Sequence, residues 1–251
     1  MIIIQTDADA VSYKNHNRII RKTISAHRAL ERSSKWRVIG RSNRGNKILC
    51  REFGRGKKRV LIVGGMHGDE PGSTLAVIRL AEYLKKNPGS IENRAVLIPC
   101  LNPDGLAGGR RTNGRKVDIN RNFPSETWTA DYEREHNNPG AGPASEPETV
   151  ALMDIINEFR PSIIIQVHQP FEVLNPGEKF PAELLMRMSE TSGLPVSYDI
   201  GYPTPGSLGS YTAGLYYMNC CTLTYELGRV DREPDYKSVI RSLMEAINYP
   251  D

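Results

Sequence analysis

Val60-Leu61-Ile62-Val63-Gly64-Gly65-Met66-His67-Gly68-Asp69-Glu70-Pro71-Gly72 decides how the rest of the chain is read. Its first four residues form a continuous apolar run bounded by turn residues, which predicts a buried strand. The glycines let the backbone turn sharply and approach a bound group, and Pro71 suits the first turn of a helix. His67 and Glu70 are half of a metal site. Alone, such a pair describes many solvated turns, so the stretch becomes a site only if a third ligand, a base and a substrate-binding group join it.

Working outward, Leu75, Ile78, Leu80 and Leu84 continue the stretch as a helix that Asn87-Pro88-Gly89 closes. Ala95 to Ile98 is a second buried strand, running into the turn Leu101-Asn102-Pro103-Asp104-Gly105. Upstream, Ile20, Ile24, His27 and Leu30 predict an amphipathic helix over residues 13–33. Two strand-like runs, Trp36 to Gly40 and Ile48 to Phe53, flank a hairpin connection. Arg55 to Arg59 reads as a solvated hairpin turn. From Leu106 to Pro147 periodic apolar positions nearly vanish, and a long stretch of this kind inside a compact domain is usually functional.

Ser145 and Glu148 stand at capping-box spacing before a helix whose buried face is Leu152, Ile155, Ile156 and Phe159. Ile163 to Val167 is a β-branched strand with His168 at its end. Pro181 to Ser192 predicts a helix, Pro195 to Ile200 a short strand, and Tyr211 to Tyr217 a helix. Cys220 to Tyr225 is a last strand ending at Glu226, and Tyr236 to Ile247 is a closing helix. This alternation predicts an α/β fold, a mostly parallel or mixed sheet covered by helices on both faces. One domain over residues 1–251 is expected, with residues 1–35 a helical extension packed on it.

The totals restrict the function classes. A chain of 251 residues, 39% hydrophobic and 25% charged, has the composition of a globular protein. Its net charge of +4 suits a small anionic substrate and falls short of a nucleic-acid footprint. No run approaches the roughly 20 apolar residues that span a bilayer, and the amino terminus lacks a signal-peptide pattern. Cys50, Cys100, Cys220 and Cys221 show no Cys-x-x-Cys spacing and read as buried reduced thiols. Together these predict a cytoplasmic protein without nucleic-acid or membrane partners.

In open α/β sheets ligands bind beyond the carboxyl ends of the strands. His67, Asn102, His168 and Glu226 each follow a strand-like run and should converge there. Two histidines and one glutamate form a standard zinc set that leaves a fourth position for water, and His67, Glu70 and His168 supply it. Glu226, at a strand end beside a dication, would be a base for water and then an acid for a leaving amine. His16 and His136, in polar surroundings, are expected at the surface. The loop Arg110-Arg111-Thr112-Asn113-Gly114-Arg115-Lys116-Val117-Asp118-Ile119-Asn120-Arg121 offers arginine forks and amides for a substrate carboxylate and an oxyanion.

His67-Gly68-Asp69-Glu70, Asn102-Pro103-Asp104-Gly105, Val117 to Pro124, His168 and Thr224-Tyr225-Glu226-Leu227 stand in the order seen in zinc carboxypeptidases of the carboxypeptidase A type, which this chain resembles from about residue 36 onward. The resemblance implies one zinc ion on His67, Glu70 and His168, with Glu226 as general base and acid. It implies that Arg111 polarises the scissile carbonyl, that Asn120 and Arg121 bind the free carboxylate of a small peptide, and that Tyr202 closes over substrate. Lys116 stands where relatives often have glycine, which leaves Arg115 as the alternative to Arg111.

The compact length, Gly142 to Thr149 and Gly201 to Ser207 resemble the bacterial members that cleave murein peptides. That implies hydrolysis of the γ-D-glutamyl–meso-diaminopimelate bond in cell-wall recycling. A carboxypeptidase on L-peptides, an N-acyl amino acid deacylase and a non-catalytic peptide-binding module are the alternatives. Ser207, Ser210, Arg229 and Asp231 are the candidates for lining the side-chain pocket.

Overall fold

A computed structural model of the chain describes residues 7–215 and 219–250, with side chains from residue 12 onward. Seven strands form one mixed sheet: β1 (Arg37–Arg41), β2 (Lys47–Phe53), β3 (Arg59–Val63), β4 (Arg94–Ile98), β5 (Ile163–His168), β6 (Val173–Pro176) and β7 (Cys221–Glu226). Their spatial order is β1-β2-β4-β3-β5-β7-β6. β4, β3, β5 and β7 are parallel, while β1, β2 and β6 add antiparallel pairings at the two edges. Of the parallel strands, β3 and β4 are nearly unbroken apolar runs, as expected where both faces are covered.

Among the described residues seven α-helices accompany the sheet: α1 (Asp7–Glu31), α2 (Pro71–Lys86), α3 (Pro103–Gly108), α4 (Pro147–Phe159), α5 (Ala182–Ser192), α6 (Leu208–Ala213) and α7 (Tyr236–Ile247). α2, α5 and α7 cover one face, packing on Val60, Ile62, Ile165, Leu223 and Tyr225. α4, α6 and the Ile119–Phe123 segment cover the other, against Leu61, Val63, Val96 and Ile164. α1 lies outside this sandwich, against α2 and α3.

Period-2 alternation decides where the site forms. On β5 and β7 the residues facing α2, α5 and α7 are apolar throughout. On the opposite face the same strands place Gln166, His168, Thr222, Thr224 and Glu226. The helices leave that part of the sheet to a cavity, and the polar residues form its floor.

Several expectations differ from the structure. Arg55 to Arg59 is not a hairpin, because β4 lies between β2 and β3. The connection crosses the start of β4, where Gly54 and Gly56 lie so close to Asn93 that a Cβ would overlap its backbone. Pro195 to Ile200 contributes a single bridge, Val196 to Leu174, in place of a strand. The edge strand in that region is β6, whose Asn-Pro content hid it. The capping box at Ser145 does not form: the cap of α4 is Glu146, and the Ser145 hydroxyl donates to the Glu146 carboxylate instead. The helix expected over Tyr211 to Tyr217 is α6, which ends at Ala213, and residues 216–218 lie outside the described residues.

Candidate active site

The turn after β3 is laced to the turn after β4. Gly64 N–H donates to Ile98, Leu101 N–H to Gly64 and Asn102 N–H to Gly65. The Asn102 side chain donates to the Met66 and Arg111 carbonyls at 3.2 and 3.1 Å and accepts from Gly105 N–H. Gly68 sits against α3, where a Cβ would overlap the backbone of Gly105 and Leu106. Here glycine is required by close approach, since its φ is ordinary. The consequence is that His67 and Glu70, on either side of this contact, sit on a turn fixed to α3 by close packing and hydrogen bonds.

His67, Glu70 and His168 are buried, and one ligand atom from each lies within 4.8 Å of the others. Nδ1 of His67 stands 2.6 Å from Glu70 Oε1, and Nδ1 of His168 stands 2.9 Å from Glu70 Oε2. Each imidazole presents its Nδ1 edge to the same carboxylate. Its other nitrogen is held elsewhere, His67 Nε2 by Asp118 at 3.0 Å and His168 Nε2 by Gln166 at 3.3 Å. Outer partners of this kind orient metal-ligating histidines and fix their tautomer. Two nitrogens, one carboxylate and a held outer shell fit a zinc ion. In the protein alone, burial opposes charge on Glu70, but the two histidines outweigh it and hold its carboxyl below the usual range.

Glu226 is 4% exposed and lies directly beside His168 in the β5–β7 register. Among the described residues its carboxylate accepts a single long bond, 3.5 Å, from Phe171 N–H. Burial first, and then the negative charge of Glu70, push it up to about 8. A weakly solvated carboxylate of this kind can take up and return a proton near neutral pH.

Arg111 joins this group. Its guanidinium donates to Asp118 Oδ2 from Nε at 2.9 Å and pairs with it from Nη2 at 2.8 Å, and Nη1 stands 3.7 Å from Glu70. Asp118, fully buried, therefore holds both His67 and Arg111, and it also caps the 3-10 turn Ile119–Arg121 by accepting from Asn120 N–H. Arg115 points away and is exposed, 4.0 Å from Glu146. Lys116 adopts φ +64, the left-handed conformation in which glycine is at ease, so the loop keeps the turn without the glycine.

The carboxylate-binding candidates line the same cavity as the three ligands, a space of about 700 Å³. Asn120 accepts Leu208 N–H at its Oδ1, which leaves its amide N–H groups as donors. Arg121 is 4% exposed, donates to the Asn120 carbonyl at 2.7 Å and lies 6.0 Å from the Tyr202 ring centroid. Tyr202 is 40% exposed, at the rim beside Phe171. Gln166 donates to Thr224 Oγ1 at 2.8 Å on the floor.

Four placements correct the sequence reading. Asn102 is wholly buried beneath the turn, so it braces the site without lining it. His16 is not simply solvated: its Nε2 bonds the Asp69 carbonyl at 2.8 Å, and its ring lines the cavity. Ser207 and Ser210 do line it, whereas Arg229 and Asp231 pair with each other at 2.9 Å, and Arg229 borders a different pocket. Asp118, Gln166 and Thr224 are site residues beyond those the sequence predicts. The polar alternation in Gln166-Val167-His168 and Thr222-Leu223-Thr224-Tyr225-Glu226 was the available signal for the last two.

The sequence profile of zinc carboxypeptidases matches residues 23–184. Murein peptide amidase A of Escherichia coli (strain K12) is 35% identical over 176 residues, covering 66% of this chain and 70% of that protein. Murein peptide amidase A of Vibrio campbellii is 30% identical over 164 residues, 61% of this chain and 64% of that protein. Among solved structures, murein-tripeptide amidase MpaA from Escherichia coli O157 superposes with a TM-score of 0.73 at 28% identity, covering 87% of this chain and 94% of that one. Bovine thrombin-activatable fibrinolysis inhibitor superposes with a TM-score of 0.70 over 92% of this chain and 94% of that one, but at 18% identity, a likeness of fold alone.

Proposed function

This chain belongs to the zinc carboxypeptidase family of hydrolytic metallopeptidases, and on that premise we propose that it hydrolyses the amide bond between γ-D-glutamate and meso-diaminopimelate in murein peptides. The observation that carries the reading is a single cavity lined by His67, Glu70 and His168, by Glu226, and by Arg121 with Asn120. A zinc set, a buried carboxylate and a buried arginine on one cavity suit an amide whose leaving half bears a free carboxylate. The relatives' names supply the murein peptide.

A single zinc ion on His67, Glu70 and His168 would supply Lewis acidity for the carbonyl and acidify water. Glu226 would accept the proton of the attacking water and deliver it to the leaving amine. Arg111, aimed by Asp118, would donate to the oxygen on which negative charge grows. Arg121 and the Asn120 amide would hold the carboxylate next to the cleaved bond, and Tyr202 at the rim would cover it. Buried free thiols agree with action in the cytoplasm and a part in cell-wall recycling.

The test compares release of diaminopimelate from L-alanyl-γ-D-glutamyl-diaminopimelate with hydrolysis of peptides ending in common L-residues and of N-acyl amino acids, by mass detection of products. The murein tripeptide should be the preferred substrate. Preference for either of the others would move the protein to another hydrolase activity of the same scaffold.

A further inference from the structure

A second cavity, of about 780 Å³, opens beside the first, and Asp69 and Arg111 line both. Its wall also includes Arg110, Lys116 and His136. Two of its charged groups are unusual. The Asp69 carboxylate projects from the metal-binding turn between His67 and Glu70, largely buried, and its Oδ1 has no hydrogen-bond partner. Arg110 folds back over Gly108 at the end of α3, and its Nε and Nη2 are buried without a partner. Neither side chain forms an ion pair with the other, nor with any other group among the described residues. Half-buried charges left unpaired are costly, and at the edge of a cleft they call for a ligand that completes them.

Position says which part of the substrate would arrive there. Asn120 and Arg121 lie on the cavity that would take the leaving amine half, and Arg111 stands beside the three ligands. Arg111 and Asp69 line both cavities, so an acyl half that runs from the reacting carbonyl past Arg111 enters the second. A cation with no partner and an anion with no partner on its wall ask for a zwitterionic segment.

We propose that this second cavity binds the acyl half of the substrate, a short peptide with a free ammonium terminus and a carboxylate of its own, Asp69 receiving the ammonium and Arg110 the carboxylate. It takes its probe from the murein-peptide reading: L-alanyl-D-glutamate, the acyl half with its γ-carboxyl freed, carries both groups.

The experiment is calorimetric titration of the zinc-loaded protein with L-alanyl-D-glutamate, its N-acetyl derivative and the carboxamide of its glutamate α-carboxyl. The parent dipeptide should bind saturably, and each modification should weaken binding about tenfold or more, the scale of one charge-assisted hydrogen bond. In Asp69→Asn the penalty for acetylation should vanish while that for amidation remains, and Arg110→Gln should show the converse. A general structural disturbance would weaken all three ligands alike, which would overturn the assignment. So would wild-type protein that fails to bind the dipeptide or binds the three ligands equally, a comparison that needs no variant to fold. Wild type that shows the predicted pattern yet leaves the tripeptide uncleaved would refute the proposed reaction and keep this site.

Discussion

Replacing Asp118 by asparagine isolates the residue on which the site's geometry depends. Asp118 is fully buried and spends both oxygens: Oδ1 on His67 Nε2 at 3.0 Å and Asn120 N–H at 2.9 Å, Oδ2 on Arg111 at 2.8 and 2.9 Å. Asparagine can keep the first pair through its carbonyl, but it turns an N–H₂ group toward the guanidinium, donor against donor. Breaking a buried ion pair from one side costs about 3–5 kcal/mol. At about 2–4 °C per kcal/mol for a chain of this size, the metal-free variant should melt on the order of 10 °C lower. Zinc affinity should fall about 10- to 100-fold, because His67 loses the anion that orients and polarises it. Competition with a chromophoric chelator measures the affinity, and scanning calorimetry with excess chelator the stability. A folded Asp118→Asn protein that bound zinc as tightly as wild type would refute the reasoning that Asp118 acts through His67.

Other outcomes follow from the same contacts. Gly68→Ala should abolish zinc binding or folding, since its Cβ would meet the α3 backbone, whereas Gly142→Ala, with nothing within 4 Å, should match wild type in chelator competition and melting temperature. Arg121→Gln should raise KM for carboxylate-bearing peptides far more than it lowers kcat, on the order of 10- to 100-fold for a charge-assisted contact, as read from initial rates. In chelator, the wild type should lose stability relative to Glu226→Gln as pH rises from about 4.5 to about 8. Over that interval the folded state keeps a proton on Glu226 that the unfolded chain releases, and melting curves at several pH values measure the difference. Burial pushes the thiol of Cys100 up to about 12 and that of Cys221 up to about 11, so both should resist iodoacetamide at pH 8 until the protein is unfolded, as followed by intact mass.

Much of this site is written locally, which is why it could be read. His67 and Glu70 lie in one turn, and the strand before it and the helix after it each carry their own signal. His168 and Glu226 sit at the ends of apolar runs, so the sheet rule alone brings them together. What could not be read depends on partners distant in sequence. Asp104 looks like a turn residue, yet it is a buried carboxylate accepting from Ser42, Arg44 and Asn46, and so it anchors the β1–β2 hairpin to α3. Asn113 likewise reads as loop but clamps Glu146 and Glu148 at the start of α4. His16 shows no apolar periodicity because its role is one bond to the Asp69 carbonyl, 53 residues away. The Arg55–Arg59 connection misled for a related reason: whether two strands pair depends on whether β4 comes between them, and the turn carries no trace of it.

The account stands most directly on Glu226. Turnover of the zinc-loaded Glu226→Gln protein, on whichever substrate the wild type cleaves, should fall at least about 100-fold with zinc stoichiometry and melting profile preserved. Near wild-type turnover in that folded, zinc-loaded variant would contradict it.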